Sequence, residues 1–268
     1  MKFGITANVD VPDALSICRK VINLLSGHEI ILEKEIAQKL GYEGYRIEDM
    51  TVDILITVGG DGTILRSLQR NNSPIFGINA GVLGFLTEIS ADAVEDGIKR
   101  ILDGEYIIEE RLKLKTVVGG KRLYDSMNET VVHTANIAKI RQFEVYVDDQ
   151  LVIDVRADGI IVATPTGSTC YAMSVGAPII DPRVDAFVIA PMAPFKFAAK
   201  PLVVPSNSCI KLKLVRPKPC VCVVDGQESH EMSGDEIVEL SVSEKRARFV
   251  GFGRSFYSKI REKLLGSL

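Results

Sequence analysis

Val52-Asp53-Ile54-Leu55-Ile56-Thr57-Val58-Gly59-Gly60-Asp61-Gly62-Thr63-Ile64-Leu65-Arg66 decides how the rest of the chain is read. Its apolar, β-branched half predicts a buried strand, which stops at a glycine-rich turn holding one carboxylate. Ile64, Leu65 and Leu68 then resume helical spacing, after a cap at Thr63 or a neighbour. Glycines 59, 60 and 62 permit positive φ and close approach of the backbone to a ligand. Free N–H groups at a helix start suit a phosphate, so Gly59, Gly60, Gly62 and Thr63 form a candidate donor-phosphate loop. Asp61 does not fit a pure phosphate cradle, because a carboxylate repels phosphate. It fits if it takes a proton from an attacking hydroxyl, or if a cation lies between. A tight turn with an incidental aspartate is the alternative that turn chemistry alone allows. The dinucleotide pattern G-x-G-x-x-G fails because Leu65 stands at its third glycine, and the Walker pattern is absent.

Outward from this stretch, residues 1 to about 105 alternate strand and helix. A strand over 2–8 precedes a helix opened by Pro12, with Ala14, Ile17, Val21, Leu24 and Leu25 on one face. Residues 30–40 read either as helix or as strand plus helix. A short strand over 74–79 runs into the glycine-punctuated turn 81–86, and Ser90 caps a helix carrying Val94, Ile98, Ile101 and Leu102. Such alternation predicts a Rossmann-like parallel sheet covered by helices, with ligands beyond the strand ends where Asp61 and Asn79 lie. After Gly104 the pattern shifts to short strands, including 106–118 and 246–252, with hairpin turns at Gly119-Gly120 and Asp148-Asp149-Gln150. The expected organisation is therefore an α/β domain over 1–105 and a mostly-β domain over 106–252. A C-terminal helix over 253–268 returns to the first domain through Phe256, Ile260 and Leu264.

Composition narrows the class. The 268 residues are 46% hydrophobic and 25% charged, enough apolar content for one large or two modest cores. A net charge of −3 offers no global attraction for nucleic acid or anionic membrane. No apolar run reaches a membrane span, and the chain opens on a strand with no signal peptide before it, which predicts a cytoplasmic protein. Five cysteines, an odd count without C-x-x-C, predict free thiols, with Cys220 and Cys222 on one strand face. His28, His133 and His230 are scattered, and no set of fixed protein ligands for a metal is read.

Two further stretches could carry chemistry. Asn128-Glu129 offers an amide and a carboxylate, suited to an adenine edge and a ribose diol; as strand neighbours both can face a ligand only through a bulge or turn. A plain polar loop explains them equally well. Asp158-Gly159-Ile160-Ile161-Val162-Ala163-Thr164-Pro165-Thr166-Gly167-Ser168-Thr169-Cys170-Tyr171-Ala172-Met173-Ser174 repeats the opening logic: a buried strand, a Pro/Gly turn, then hydroxyls and small residues that leave room for a flat ring. Tyr171 reads either as a ring against the ligand or as a core tyrosine. Asp225-Gly226-Gln227 is a third carboxylate–glycine turn, weak alone.

Gly59-Gly60-Asp61-Gly62-Thr63, Asn128-Glu129 and Gly167-Ser168-Thr169-Cys170-Tyr171, in this order, resemble NAD kinases over essentially the whole chain. The glycine–aspartate turn is shared with diacylglycerol-type lipid kinases and, more distantly, phosphofructokinases; the other two motifs are more specific. The resemblance implies phosphorylation of the adenosine-ribose 2′-hydroxyl of NAD to give NADP, at a site between an α/β and a β-rich domain. It implies ATP or another phosphate donor, a divalent cation (Mg²⁺) arriving with that donor, and a homo-oligomer, dimer or tetramer. Carried over, Asp61 is the proton acceptor, Gly62 a backbone contact and Arg66 a partner for phosphate charge. Asn128 and Glu129 hold the adenosine part of NAD, Arg156 and Asp158 flank the dinucleotide, and Asp158 suits the nicotinamide amide. Thr169, Cys170, Tyr171, Ala172, Met173 and Ser174 line the pocket, which Ala193 and Gln227 complete; Lys139 is a further candidate. Relatives usually carry Ala where Cys170 stands. The rival readings are a superfamily kinase acting on a lipid or sugar hydroxyl and a non-catalytic NAD(H)-sensing module.

Overall fold

Every position of the strand Ile54–Gly59 is buried, as a run without polar alternation requires when both faces of a parallel sheet are covered. This is seen in a computed structural model that describes residues 1–81, 84–136, 139–195 and 199–265. The strand lies mid-sheet in the order Gly44–Tyr45, Glu29–Glu33, Lys2–Ala7, Ile54–Gly59, Ile75–Asn79, Ala247–Gly251, Ile107–Arg111, with Ile89–Ser90 pairing beside Ile75–Asn79. From Lys2–Ala7 the chain adds strands to one side and then, from Ile54–Gly59, to the other. The order therefore reverses between these two strands, where open parallel sheets bind ligands. Ala14, Ile17 and Val21 of helix Ala14–Leu24 and Ile98 and Ile101 of helix Val94–Leu102 pack into one apolar cluster with Phe3, Ile5, Ile56 and Phe76. Residues 30–40 resolve as strand Glu29–Glu33 followed by helix Lys34–Leu40.

The chain divides into two compact units, 1–110 with 247–268, and 111–246. The strand expected over 106–118 splits, Ile107–Arg111 joining the first sheet and Leu114–Val118 the second unit, and the strand expected over 246–252 also belongs to the first sheet: Ala247–Gly251 pairs in parallel with Ile75–Asn79, and Ile107–Arg111 follows it. These short runs carry no mark of which sheet they join; the place beside Ile75–Asn79 takes Ala247–Gly251, which in turn takes Ile107–Arg111.

The second unit holds two six-stranded antiparallel sheets. Leu114–Val118 and Ile210–Leu214 alternate buried and half-buried residues, with Phe143, Phe187, Cys220 and Cys222 in the cluster they share. Burial of each such phenylalanine contributes about 2–3 kcal/mol. Strand Gly159–Ala163 is buried throughout because Ile160 and Val162 enter that core while Ile161 and Ala163 pack on a second cluster with Ala172, Ile180 and Val188. Two-residue turns with positive φ at Gly119-Gly120 and Asp148-Asp149 close the expected hairpins.

The C-terminal helix is present, as Phe256–Ile260 with Arg261–Leu265 continuing in π-helical geometry. Its attachment within the first unit is not the apolar stripe expected. Phe256, Ile260 and Leu264 are only half-buried, and the buried residue of Phe256–Ile260 is Lys259, paired with Glu88.

A partly buried ion pair joins helix Asp61–Arg70 to the sheet. Arg66 donates to Thr6 Oγ1 at 3.1 Å, to the Ala7 carbonyl at 3.2 Å and to Glu33 Oε2 at 3.0 Å, and the Thr6 hydroxyl also donates to Glu33. Removing the cation would leave Glu33 buried with one hydroxyl for company. Arg66→Met should therefore cost roughly 3 kcal/mol by denaturant unfolding, and adding Glu33→Gln should recover part of it by removing the unpaired charge.

Candidate active site

The first unit supplies the glycine–aspartate loop. Gly59 takes a φ of 153°, and the helix begins at Asp61, with Gly60 as its cap in extended geometry at φ −102°. Of the expected caps, Thr63 or a neighbour, it is the neighbour Gly60 that stands at the cap, and no side chain caps the helix. Of the three glycines, only Gly59 uses positive φ; Gly62 lies exposed in the first helical turn. Asp61 Oδ2 accepts from the Phe85 N–H at 2.7 Å and Oδ1 from the Leu86 N–H at 3.1 Å. A Cβ at Gly84 would overlap that carboxylate, so this residue is glycine because Asp61 lies against its Cα. The two bonds orient the carboxylate and leave lone pairs for a proton or a cation. Val82 and Leu83 of the turn over 81–86 lie outside the described residues. Asn79 is the register partner of Gly59 at the strand ends, and its side chain is engaged with Gly81 and Thr87. Arg66, expected to meet phosphate, has its guanidinium Nη2 bonded to Glu33, Thr6 and the Ala7 carbonyl.

The second unit gathers the other motifs at one sheet edge. Strand Glu129–Thr134 runs between Gly159–Ala163 and Cys220–Val224, with Glu129 opposite Ala163 and Thr130 opposite Val224. Turns 164–171 and 225–227 therefore flank Asn128 and Glu129. Asp225, which sequence reading weighed only weakly, is the clamp. Its carboxylate accepts from the N–H of Met127 at 2.8 Å, of Asn128 at 2.7 Å and of Glu129 at 3.1 Å. Thr164 adds a hydroxyl bond to the Met127 carbonyl at 2.6 Å and an N–H bond to the Asn128 carbonyl at 2.8 Å. A Cβ at Gly167 would collide with the Asn128 backbone, which is why the turn needs glycine there.

This corner is electrostatically loaded. Burial pushes Asp225 up to about 6 against the pull of its N–H donors and of Lys113. Burial, and then the Asp225 charge, push Glu129 up to about 8, partly offset by the Tyr171 N–H. Asn128 Oδ1 and Glu129 Oε2 are both buried without a hydrogen-bond partner among the described residues. Orphaned acceptors of this kind call for donors from a ligand.

A cleft of about 440 Å³ opens beside them, lined in part by Glu129, Asp158, Tyr171, His133 and Met192. Tyr171 is 45% exposed, so it is no core tyrosine. His133, absent from the sequence-derived set, contributes a wall, with Nδ1 bonded to the Thr134 carbonyl. The remaining candidates are not among the residues that line this cleft. Thr169 is buried, its hydroxyl donating to the Thr166 carbonyl, and Ala172 sits in the apolar cluster under the sheet. Cys170 and Met173 are half-buried, and exposed Ser174 donates to the Tyr171 carbonyl. Ala193 is exposed with φ +41°, a strained conformation of the sort that collects at functional sites. Gln227 is exposed in the 225–227 turn. Arg156 is exposed and lies 5.5 Å from the Phe195 ring centroid, and Lys139 is an exposed surface residue. Among the described residues no group of three or more His, Cys, Asp or Glu clusters as a metal site.

Comparison with known proteins agrees with both halves. Residues 28–106 match the ATP-NAD kinase N-terminal domain and residues 127–252 the ATP-NAD kinase C-terminal domain. An NAD kinase of Thermoplasma volcanium is 42% identical over 99% of this chain and 98% of its own. One from Methanothermobacter thermautotrophicus is 43% identical over 99% and 96%. Among solved structures, a yeast NADH kinase complexed with NADH shares the fold, with a TM-score of 0.91 at 22% identity over 99% of this chain and 87% of that one. An NAD kinase from Archaeoglobus fulgidus in complex with ATP has a TM-score of 0.81 at 30% identity, over 97% and 99%. Full-length identity of this order, on top of two matched domains and the three motifs in place, means that the chain belongs to the NAD kinase family.

Proposed function

We propose that the two loops divide the NAD kinase reaction between them, Asp61 acting on the acceptor hydroxyl and the Asn128–Glu129 corner holding the adenosine of NAD. The observation that carries this reading is the pair of buried, unpartnered acceptors, Asn128 Oδ1 and Glu129 Oε2, beside an open cleft. Ribose hydroxyls and an adenine amino group are the donors such atoms lack. Asp158 and the exposed ring of Tyr171 add a polar wall and a face for a flat base. In the reaction the 2′-hydroxyl oxygen forms a bond to the terminal phosphorus of the donor while the bond to the leaving phosphate breaks. The hydroxyl proton passes to Asp61, whose orientation is set by Phe85 and Leu86. A divalent cation such as Mg²⁺ would neutralise phosphate charge, and Asp61 has oxygen lone pairs to face it. The donor is ATP or another polyphosphate.

The reading places the protein in the cytoplasm, which suits its five free cysteines. Buried Cys18 and Cys222 are both pushed up to about 12 and kept inert. No helix among the described residues is long and apolar enough to cross a membrane. Self-association is supported by two sheet-edge strands with exposed apolar residues, Leu151 and Val152 on one and Leu202 and Val203 on the other. Light scattering should give a dimer or tetramer; a stable, active monomer at assay concentration would refute it.

Asp61→Asn should lower kcat by roughly 10²–10⁴ while NAD affinity, read by calorimetry, is kept or improved. If the carboxylate mainly faces the cation, excess Mg²⁺ or Mn²⁺ should restore much of the activity. Near-full activity at every metal concentration would remove both roles.

Glu129 adds a pH dependence with a definite sign. Free Glu129 is protonated below about 8, whereas a ribose diol donates best to the carboxylate. The KM for NAD should therefore fall about tenfold between pH 6.5 and 8.5, and Glu129→Gln should flatten the profile. A wild-type profile that is flat, or slopes the other way, would exclude this role.

A further inference from the structure

We infer that Lys263 is a phosphate-binding residue of the Asp61 loop, its ammonium facing the oxygens of a bound polyphosphate. The inference rests on reading that loop as the phosphoryl-transfer centre, and adds to it a residue from the far end of the chain.

Residues 84–88 connect the two. At one end of this segment the N–H groups of Phe85 and Leu86 hold Asp61. At the other end Glu88 anchors the C-terminal helix: Oε1 accepts from the Phe252 N–H at 2.9 Å, and Oε2 accepts from buried Lys259 at 3.2 Å. About one turn beyond Lys259, Lys263 brings its Nζ to 4.3 Å from the centroid of the Phe85 ring. The terminal segment is thus registered on the same residues that orient the catalytic carboxylate.

Lys263 differs from its neighbours in having no ion-pair or hydrogen-bond partner among the described residues. Lys259 has Glu88, and Arg254 has both oxygens of Glu262 at 3.0 and 2.8 Å. The Lys263 Nζ is withdrawn from solvent without a hydrogen-bond partner among the described residues. An aromatic face attracts a cation but accepts none of its three N–H bonds in the ordinary sense. Burial brings the ammonium down to about 8, while Asp61 pulls it upward; Lys259, Arg254 and Glu262 are the other charges that act on it. A ligand bringing several anionic oxygens to Asp61 needs a positive partner on that side. Arg66 directs its Nη2 to Glu33, Thr6 and Ala7, whereas the Lys263 Nζ has no hydrogen-bond partner among the described residues.

Calorimetric titration of the intact protein with ATP, with inorganic tripolyphosphate and with NAD, each with Mg²⁺ present, tests this at pH 7 and pH 9. Lys263→Met should weaken both polyphosphates by about 10- to 100-fold at pH 7 and leave NAD unchanged, whereas Lys263→Arg should retain most of the affinity. The wild type should lose about 5- to 10-fold between pH 7 and 9 as the ammonium deprotonates, and Lys263→Arg should not. Equal polyphosphate binding by wild type and Lys263→Met overturns the inference. So does weakening of ATP alone, which would place Lys263 on the nucleoside. Should Lys263→Met fail to fold, a wild-type affinity that is the same at pH 7 and pH 9 overturns it. Asp61→Asn keeps the two readings apart: lost turnover there, with binding indifferent to Lys263, removes only Lys263, while full turnover removes the loop assignment.

Discussion

Consecutive backbone N–H groups donating to a side-chain carboxylate set the candidate functional corner of each unit. In the first, Phe85 and Leu86 hold Asp61; in the second, Met127, Asn128 and Glu129 hold Asp225. Such charge-assisted bonds contribute about 1.5–3 kcal/mol each, while burying a carboxylate costs several kcal/mol. At Asp225 the balance is visible: three donors and Lys113 still leave it raised to about 6, so desolvation outweighs them. Glu129 rises further, to about 8, through its own burial and then through the Asp225 charge beside it. The result is an acceptor that a ligand's hydroxyls can relieve.

This use of backbone donors also explains the glycines. Gly84 and Gly167 are set by close approach, one by the Asp61 carboxylate and the other by the Asn128 backbone. Neither position has positive φ, so neither serves as a flexible hinge. A glycine-rich loop in a sequence can therefore mean that something must pass near, with no conformational freedom used.

Much of this was legible in the residues. The buried run before Gly59, the 3.6-residue spacing after it and the alternation over the first hundred residues are strong periodic signals, and they specify a parallel sheet. The hairpins at Gly119-Gly120 and Asp148-Asp149 follow from turn chemistry. Legibility failed where the decisive fact is a long-range partner. The strand Ala247–Gly251 looks like any short strand, and its sheet is chosen by an open edge some 170 residues away in sequence. The C-terminal stripe Phe256, Ile260 and Leu264 is periodic, yet a Lys259–Glu88 pair makes the buried contact. Arg66 fits a phosphate by position, and only Glu33 in space shows what engages it. Asp225 holds residues 127–129 from a neighbouring strand's end, and His133 joins the cleft wall, neither of which local spacing announces.

The return of Ala247–Gly251 to the first sheet has a consequence in time. During synthesis, Ile75–Asn79 emerges with Ile89–Ser90 beside Ile78 and Asn79 but with its outer edge at Ile75 unpaired, and the strand that covers Ile75 comes about 10–30 s later at ordinary elongation rates. The residues between, 111–246, form a compact unit of their own and can fold in that interval. Until then the nascent first unit shows a bare parallel edge to its surroundings, the kind of surface on which chaperones act and neighbouring chains mispair. The order of the gene thus assigns the last strand a guarding role: the first unit is begun first and closed last.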